Sequence, residues 1–149
     1  MDNIMNHNQK KKVLFICRNN SGRSQLAEGI LRHLYGDCYQ VYSAGSDPRA
    51  INPLTLQVLQ ELGVDTSPLE AKSLEKYQGQ EFDLVVSLCG GEDEECPIFL
   101  TAPRFIHHVF PDPREISVDN QLSAEEKLER FRRVRDQIRD WIEEQFKPG

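Results

Sequence analysis

The sequence predicts one α/β domain, a parallel sheet flanked by helices, and three observations carry that expectation. Short apolar runs rich in branched and aromatic residues alternate with segments of helical periodicity along the chain. Strands that alternate with helices imply parallel pairing, because a helical crossover returns the chain to the same sheet edge. The 149 residues fit a single core, and no repeat, linker or low-complexity stretch divides them.

Residues 1–11 are polar, end in lysines and read as a flexible lead-in to a domain over 12–149. The run over 12–17, Lys-Val-Leu-Phe-Ile-Cys, is a buried strand. The polar turn Arg18-Asn19-Asn20-Ser21-Gly22 ends it. A helix follows with Leu26, Ala27, Ile30, Leu31 and Leu34 on one face, closed by Gly36-Asp37. A second strand covers 39–43 and stops at Ala44-Gly45-Ser46-Asp47-Pro48. Asn52-Pro53 opens the next helix, in which Leu56, Val58, Leu59 and Leu62 are apolar and Gly63 is the terminator. Strands over 82–88 and 104–109 come next. The clearest helix runs over 123–146, with Leu128, Phe131, Val134, Ile138, Ile142 and Phe146 at three- and four-residue steps. Ser123-Ala124-Glu125-Glu126 forms its capping box.

Charge and composition exclude several classes of function. A net charge of −6 and a pI near 5.2 argue against nucleic-acid binding. The apolar runs are too short to cross a bilayer, and the polar start lacks the features of a signal peptide. Both point to the cytoplasm, where four cysteines stay reduced and serve catalysis or redox chemistry rather than as staples.

The segment Cys17-Arg18-Asn19-Asn20-Ser21-Gly22-Arg23-Ser24 lies between the first strand and the first helix. Ligands bind at that edge of α/β sheets. A loop wrapped ahead of a helix N-terminus aims several backbone N–H groups at one point, and the helix dipole adds positive potential. Arg23 can fork onto two oxygens of a tetrahedral oxyanion, and Gly22 lets the backbone approach. Asn20 can hold the loop through its side-chain amide. The same field favours a thiolate at Cys17, and Ser24 can donate to its sulfur. A thiolate beside an oxyanion cradle attacks phosphorus, arsenic or a similar centre. Pro111-Asp112-Pro113 fixes a carboxyl group near the same edge, either as a plain turn residue or as an acid for the departing oxygen.

The loop, Arg23-Ser24-Gln25-Leu26-Ala27-Glu28, Ser43-Ala44-Gly45 and Asp112-Pro113 resemble the low-molecular-weight protein tyrosine phosphatase superfamily over nearly the whole chain. The resemblance implies a four-stranded parallel sheet, Cys17 as nucleophile, Arg23 as oxyanion clamp and Asp112 as general acid. Cys89 follows the third strand, and Gly90-Gly91-Glu92-Asp93-Glu94-Glu95 leads to Cys96. In a helix these two Cα atoms would stand about 10 Å apart, whereas a disulfide needs about 4.4–6.8 Å, so bridging them requires unwinding. This pattern is similar to the thioredoxin-coupled arsenate reductases of the superfamily. That resemblance implies arsenate as substrate, phosphate or sulfate as competing oxyanions, and a relay from Cys17 to Cys89 to Cys96 recycled by thioredoxin.

Other readings fit the same residues. Cys89 can be strand-end packing and Cys96 an inert loop residue. A zinc site of Cys89, Cys96, His107 and His108 lacks recognised ligand spacing, so neither metal nor other cofactor is called for. Cys38 has no assigned partner. A small phosphotyrosine phosphatase with idle extra cysteines, or a silent oxyanion- or partner-binding module, would share the loop, and glutathione with glutaredoxin is the alternative reductant. Relatives that bind potassium use residues resembling Asn20, Glu28 and Ser43, where Lys72 here can supply the charge itself. The absence of an aromatic after Asp112-Pro113 or within Ser46-Asp47-Pro48 disfavours phosphotyrosine.

Overall fold

A computed structural model describes residues 10–88 and 102–148. Most of the lead-in, together with Cys89, Cys96 and the acidic stretch between them, lies outside the described residues. The chain runs β1 (Lys11–Cys17), α1 (Arg23–Tyr35), β2 (Tyr39–Gly45), α2 (Pro53–Glu61), a 3₁₀ turn (Leu74–Tyr77), β3 (Leu84–Ser87), β4 (Arg104–His107), α3 (Pro113–Ser117) and α4 (Ala124–Phe146). The four strands form one parallel sheet in the order β2-β1-β3-β4. The expected parallel α/β sheet is therefore present. Two short elements, the 3₁₀ turn and α3, were not foreseen.

The central position of β1 follows from its sequence. Val13, Leu14, Phe15, Ile16 and Cys17 are all at most 2% exposed, as a strand covered on both faces must be. Alternation then divides the core. Val13, Phe15 and Cys17 join Leu84 and Val86 against α1, α2 and α4. Leu14 and Ile16 face the other way, onto Ala44, Leu74, Tyr77, Phe82 and Val85. Helices on both faces were expected. Among the described residues α1, α2 and α4 share one face, and the 3₁₀ turn with its aromatic side chains covers the other. There Tyr42, Tyr77 and Phe82 meet edge to face at 5.5–5.8 Å between centroids.

The helix ends are built as their residues dictate. Asn52 accepts from the Leu54 N–H with Pro53 behind it, and Ser123 and Glu126 complete the capping box of α4. On α4, Phe131, Val134, Ile138, Ile142 and Phe146 are buried as their spacing predicts. Arg132 and Arg135 fasten α4 to Glu61 at the end of α2, at 2.7 and 2.8 Å. This pairing with Arg132, helped by Arg135, holds the Glu61 carboxyl below its ordinary range. Leu34 was assigned to the buried face of α1, but it sits in the last turn and is exposed, while Tyr35 beside it packs on the core. None of the described helices is long and apolar enough to cross a membrane.

Candidate active site

Cys17 is the last residue of β1, and the loop 18–22 carries the chain from it into α1. The loop's carbonyls are engaged by the surrounding fold. Arg18 O accepts from the Asp47 N–H at 2.8 Å and Asn19 O from the Arg49 N–H at 2.9 Å. Asn20 O accepts from Gln25 Nε2 at 3.0 Å. Ser21 O accepts from the Asn52 N–H and the Thr55 hydroxyl, both at 3.1 Å. Gly22 O accepts from the Leu26 N–H at 2.9 Å. In a trans peptide the N–H points opposite to the carbonyl before it. Tying five successive carbonyls outward thus turns the N–H groups of residues 19–23 inward, toward Cys17. Gly22 caps α1 without a side-chain hydrogen bond, which leaves first-turn N–H groups for a ligand.

Two glycines permit this geometry. A Cβ on Gly45 would lie 2.6 Å from Arg18 O, 2.9 Å from Asn20 N and 3.0 Å from Cys17 O, so β2 touches the loop only because residue 45 has no side chain. A Cβ on Gly22 would meet Pro113 Cγ at 3.3 Å, which places the Asp112-Pro113 turn directly over the loop.

The polar side chains beneath the loop form one connected network. Cys17 Sγ lies 2.9 Å from Ser24 Oγ. Asn20 Nδ2 donates to Ser24 Oγ at 2.7 Å and to Ser43 Oγ at 2.9 Å. Because Ser24 accepts from Asn20, its own hydroxyl hydrogen is left to point at the sulfur. Ser43 in turn donates to Glu28 Oε1. Asn20 adopts φ 49°, a left-handed conformation rare for a residue with a Cβ but one that asparagine tolerates. The Lys72 N–H and Gln25 Nε2 both donate to Asn20 Oδ1, at 2.8 and 2.9 Å, and so fix the direction of its amide. Glu28 is 3% exposed and is neutralised by Arg32 at 2.6 Å and by Lys72 Nζ at 3.4 Å. The Lys72 ammonium also reaches Glu70 O at 2.6 Å.

Arg23 reaches the site from the first residue of α1, with its side chain 4% exposed. One arm donates to Leu88 O at 3.1 Å and the other lies 3.6 Å from Asp112 Oδ2. Asp112 is the N-cap of α3, where its Oδ1 accepts from the Arg114 N–H at 2.9 Å. Capping commits one carboxyl oxygen, and the other faces Arg23. The structure thus sets Cys17 against Ser24 and Arg23 against Asp112 around one loop. Arg18 is exposed at the rim, and Asn19 turns its amide to Asp47 O at 2.8 Å. His107 ends β4 exposed, whereas His108 stacks on Trp141 at 5.0 Å between ring centroids. Cys38 is exposed at the turn before β2. Sequence reasoning gave no part in the site to Thr55 or Arg32, and it also missed Gln25. Its signal was a polar residue flanked by Ser24 and Leu26 on the buried first turn of a helix.

Residues 12–147 match the family described as low molecular weight phosphotyrosine protein phosphatase. An arsenate reductase of Halalkalibacterium halodurans is 38% identical over 129 residues, which cover 87% of this chain and 90% of that protein. The solved structure of an arsenate reductase in the phosphate binding state superimposes with a TM-score of 0.74 at 31% identity, covering 90% of this chain and 95% of that one. A thioredoxin-dependent arsenate reductase of Corynebacterium glutamicum is similar at a TM-score of 0.59 and 30% identity, covering 91% of this chain and 61% of that one.

Proposed function

The chain belongs to the low molecular weight phosphotyrosine protein phosphatase family, and from that footing we propose that it reduces arsenate to arsenite in the cytoplasm, with thioredoxin as reductant. The observation that supports this reading is the pairing of Cys17 with Ser24 and of Arg23 with Asp112 around one loop, in a chain similar to arsenate reductases over most of its length.

Each step assigns one task to one group. Arsenate enters the ring of loop N–H groups, and the Arg23 guanidinium turns from Asp112 to two of its oxygens. The Cys17 thiolate, held by the Ser24 hydroxyl, attacks arsenic. Asp112 protonates the departing oxygen, which leaves as water, and an S–As bond remains. Cys89 then attacks the Cys17 sulfur. The S–As electron pair stays on arsenic, so As(V) becomes As(III), arsenite leaves and a Cys17–Cys89 disulfide forms. Cys96 attacks Cys89 and frees Cys17, and a dithiol reductant reopens the Cys89–Cys96 disulfide. Two thiols lose the two electrons that arsenic gains. No step calls for a metal or another cofactor.

The test is arsenate-dependent NADPH oxidation with thioredoxin and thioredoxin reductase, comparing wild type with Cys96→Ser. Turnover in wild type and its loss in the variant are expected. Turnover only with glutathione and glutaredoxin would replace the reductant. Phosphotyrosine hydrolysis that survives loss of Cys89 and Cys96, without arsenate reduction by either donor, would overturn the reading in favour of a phosphatase.

A further inference from the structure

Gln25 is fully buried in the first turn of α1, and its amide nitrogen lies near three oxygens. These are Asn20 O at 3.0 Å, Asn20 Oδ1 at 2.9 Å and Glu70 O at 2.8 Å. An amide nitrogen has two hydrogens, so its donors are fully used and its orientation is set by the surrounding acceptors. The other end of the same amide behaves differently. Gln25 Oε1 is buried with no hydrogen-bond partner among the described residues. Burying an unpaired acceptor is destabilising, and an unbranched apolar side chain of the same length would avoid that cost. The same replacement would also strip the buried Asn20 carbonyl of its donor, so what glutamine supplies here is the hold of its nitrogen on Asn20.

We propose that Gln25 is a positioning residue for the thiolate site, acting through Asn20. Its nitrogen holds the carbonyl of a left-handed residue in the outward direction that turns the Ser21 N–H inward. Its second contact, on Asn20 Oδ1, keeps Nδ2 directed at Ser24 and Ser43. Ser24 is thereby left as the donor to Cys17. The third contact ties the loop to Glu70, beside the Lys72 that pairs with Glu28. Gln25 touches neither sulfur nor oxyanion, and its effect is to orient the groups that do.

Gln25→Met keeps the length and removes the donors, and Gln25→Asn keeps an amide but falls one methylene short. Three readouts are compared with wild type: thermal melting, the pH dependence of Cys17 alkylation by iodoacetamide resolved by mass spectrometry, and protection of Cys17 by inorganic phosphate. The expected result for Gln25→Met is a lower melting temperature, since Asn20 O loses its donor. Alkylation is displaced to higher pH and phosphate protection weakened by about tenfold, the equivalent of one lost hydrogen bond. Gln25→Asn shifts both chemical readouts in the same direction and serves alone if the Met variant does not fold. Alkylation and protection that superimpose on wild type in either folded variant would overturn the proposal and leave Gln25 as filler. The link to arsenate reduction rests on the function proposed above and is read separately, as a roughly tenfold fall in kcat/KM. If wild type fails to reduce arsenate, that reading falls, while alkylation and phosphate protection still decide the role of Gln25.

Discussion

Replacing Gly45 by alanine adds one methyl group at the point where β2 meets the oxyanion loop. Its three nearest neighbours, at 2.6, 2.9 and 3.0 Å, are backbone atoms of Arg18, Asn20 and Cys17, so no side chain can swing aside. Relief requires the loop to move by several tenths of an ångström or more. Overpacking of this kind costs about 1–3 kcal/mol, which at about 2–4 °C per kcal/mol lowers the melting temperature by about 2–12 °C. The larger effect is on chemistry. The displaced atoms carry the N–H groups and the nucleophile, and misplacement by about 1 Å can cost on the order of a hundredfold in rate. Gly63→Ala is the matched control. Gly63 lies at φ +82° with nothing within 4 Å of its added Cβ, so alanine there pays a left-handed backbone penalty far from the loop. That penalty is about 1–2 kcal/mol, comparable in stability to the first change. The assay is arsenate kcat/KM at a temperature where both variants are folded, alongside calorimetric melting. Gly45→Ala should lose most of its activity and Gly63→Ala little. Equal activities in the two variants would refute the claim that the loop's shape depends on its contact with β2.

Ser24→Ala removes the hydroxyl that faces Cys17 and an acceptor for Asn20 Nδ2. A hydrogen bond to a charged group contributes about 1.5–3 kcal/mol, so the Cys17 alkylation rate at neutral pH and arsenate kcat/KM should each fall roughly 10- to 100-fold, and unchanged alkylation would exclude Ser24 as the donor. Burial, with Glu28 nearby, pushes the Tyr77 hydroxyl up to about 12. The folded state thus retains this proton above pH 10 where the unfolded chain releases it, and stability should fall as pH rises from about 10 to 12. Tyr77→Phe keeps the ring contacts and should flatten that decline in alkaline denaturation curves. Lys72→Met deletes a cation 3.4 Å from Glu28, and because Arg32 still pairs with Glu28 the loss should be smaller than the roughly 3–5 kcal/mol of a fully broken buried pair. Exchanging sodium for potassium should leave wild-type melting unchanged and raise that of Lys72→Met, since the variant leaves the Glu28 carboxylate and the Glu70 carbonyl without their ammonium partner.

What was legible in the sequence was what local pattern encodes. β1 declares itself by an uninterrupted apolar run, α4 by its spacing and capping box, and the oxyanion loop by its place between a strand and a helix. Asp112 was also legible, but its mode of action was not. A five-residue helix carries too few positions to show a period, so α3 went unforeseen, and with it the capping bond that commits one carboxyl oxygen. The need for glycine at 45 was equally hidden, because the atoms that exclude a side chain belong to residues 17–20 and come near only through strand pairing. Gln25 drew no assignment of its own for the same reason, since one of its acceptors lies 45 positions away. Leu34 erred in the opposite direction. Its periodicity is right, but in the last turn of α1 Tyr35 rather than Leu34 packs on the core.

The surroundings of the site bear on why a phosphatase framework suits an inorganic oxyanion here. A phosphotyrosine phosphatase must hold a ring as well as a phosphate, and stacking against an aromatic wall is the economical way to do so. The described residues that contact the loop from outside include Gly45, Asp47, Arg49, Asn52 and Thr55, with Arg18 on its rim and Pro113 and Arg114 beside Asp112. None of them is aromatic. Arg18, Asp47, Arg49 and Arg114 are all exposed, and a ring bound among them would gain little from burial. A small tetrahedral anion needs no such wall. Backbone N–H groups at a helix start and a guanidinium are donors that can meet the oxygens of such an anion directly. Arg23 donates to Leu88 O at 3.1 Å and lies 3.6 Å from Asp112 Oδ2, contacts that keep a buried cation partnered within the protein. In the mechanism proposed above the oxyanion takes Arg23 away from Asp112, so anion binding and the freeing of Asp112 for the proton transfer assigned to it are coupled through a single side chain.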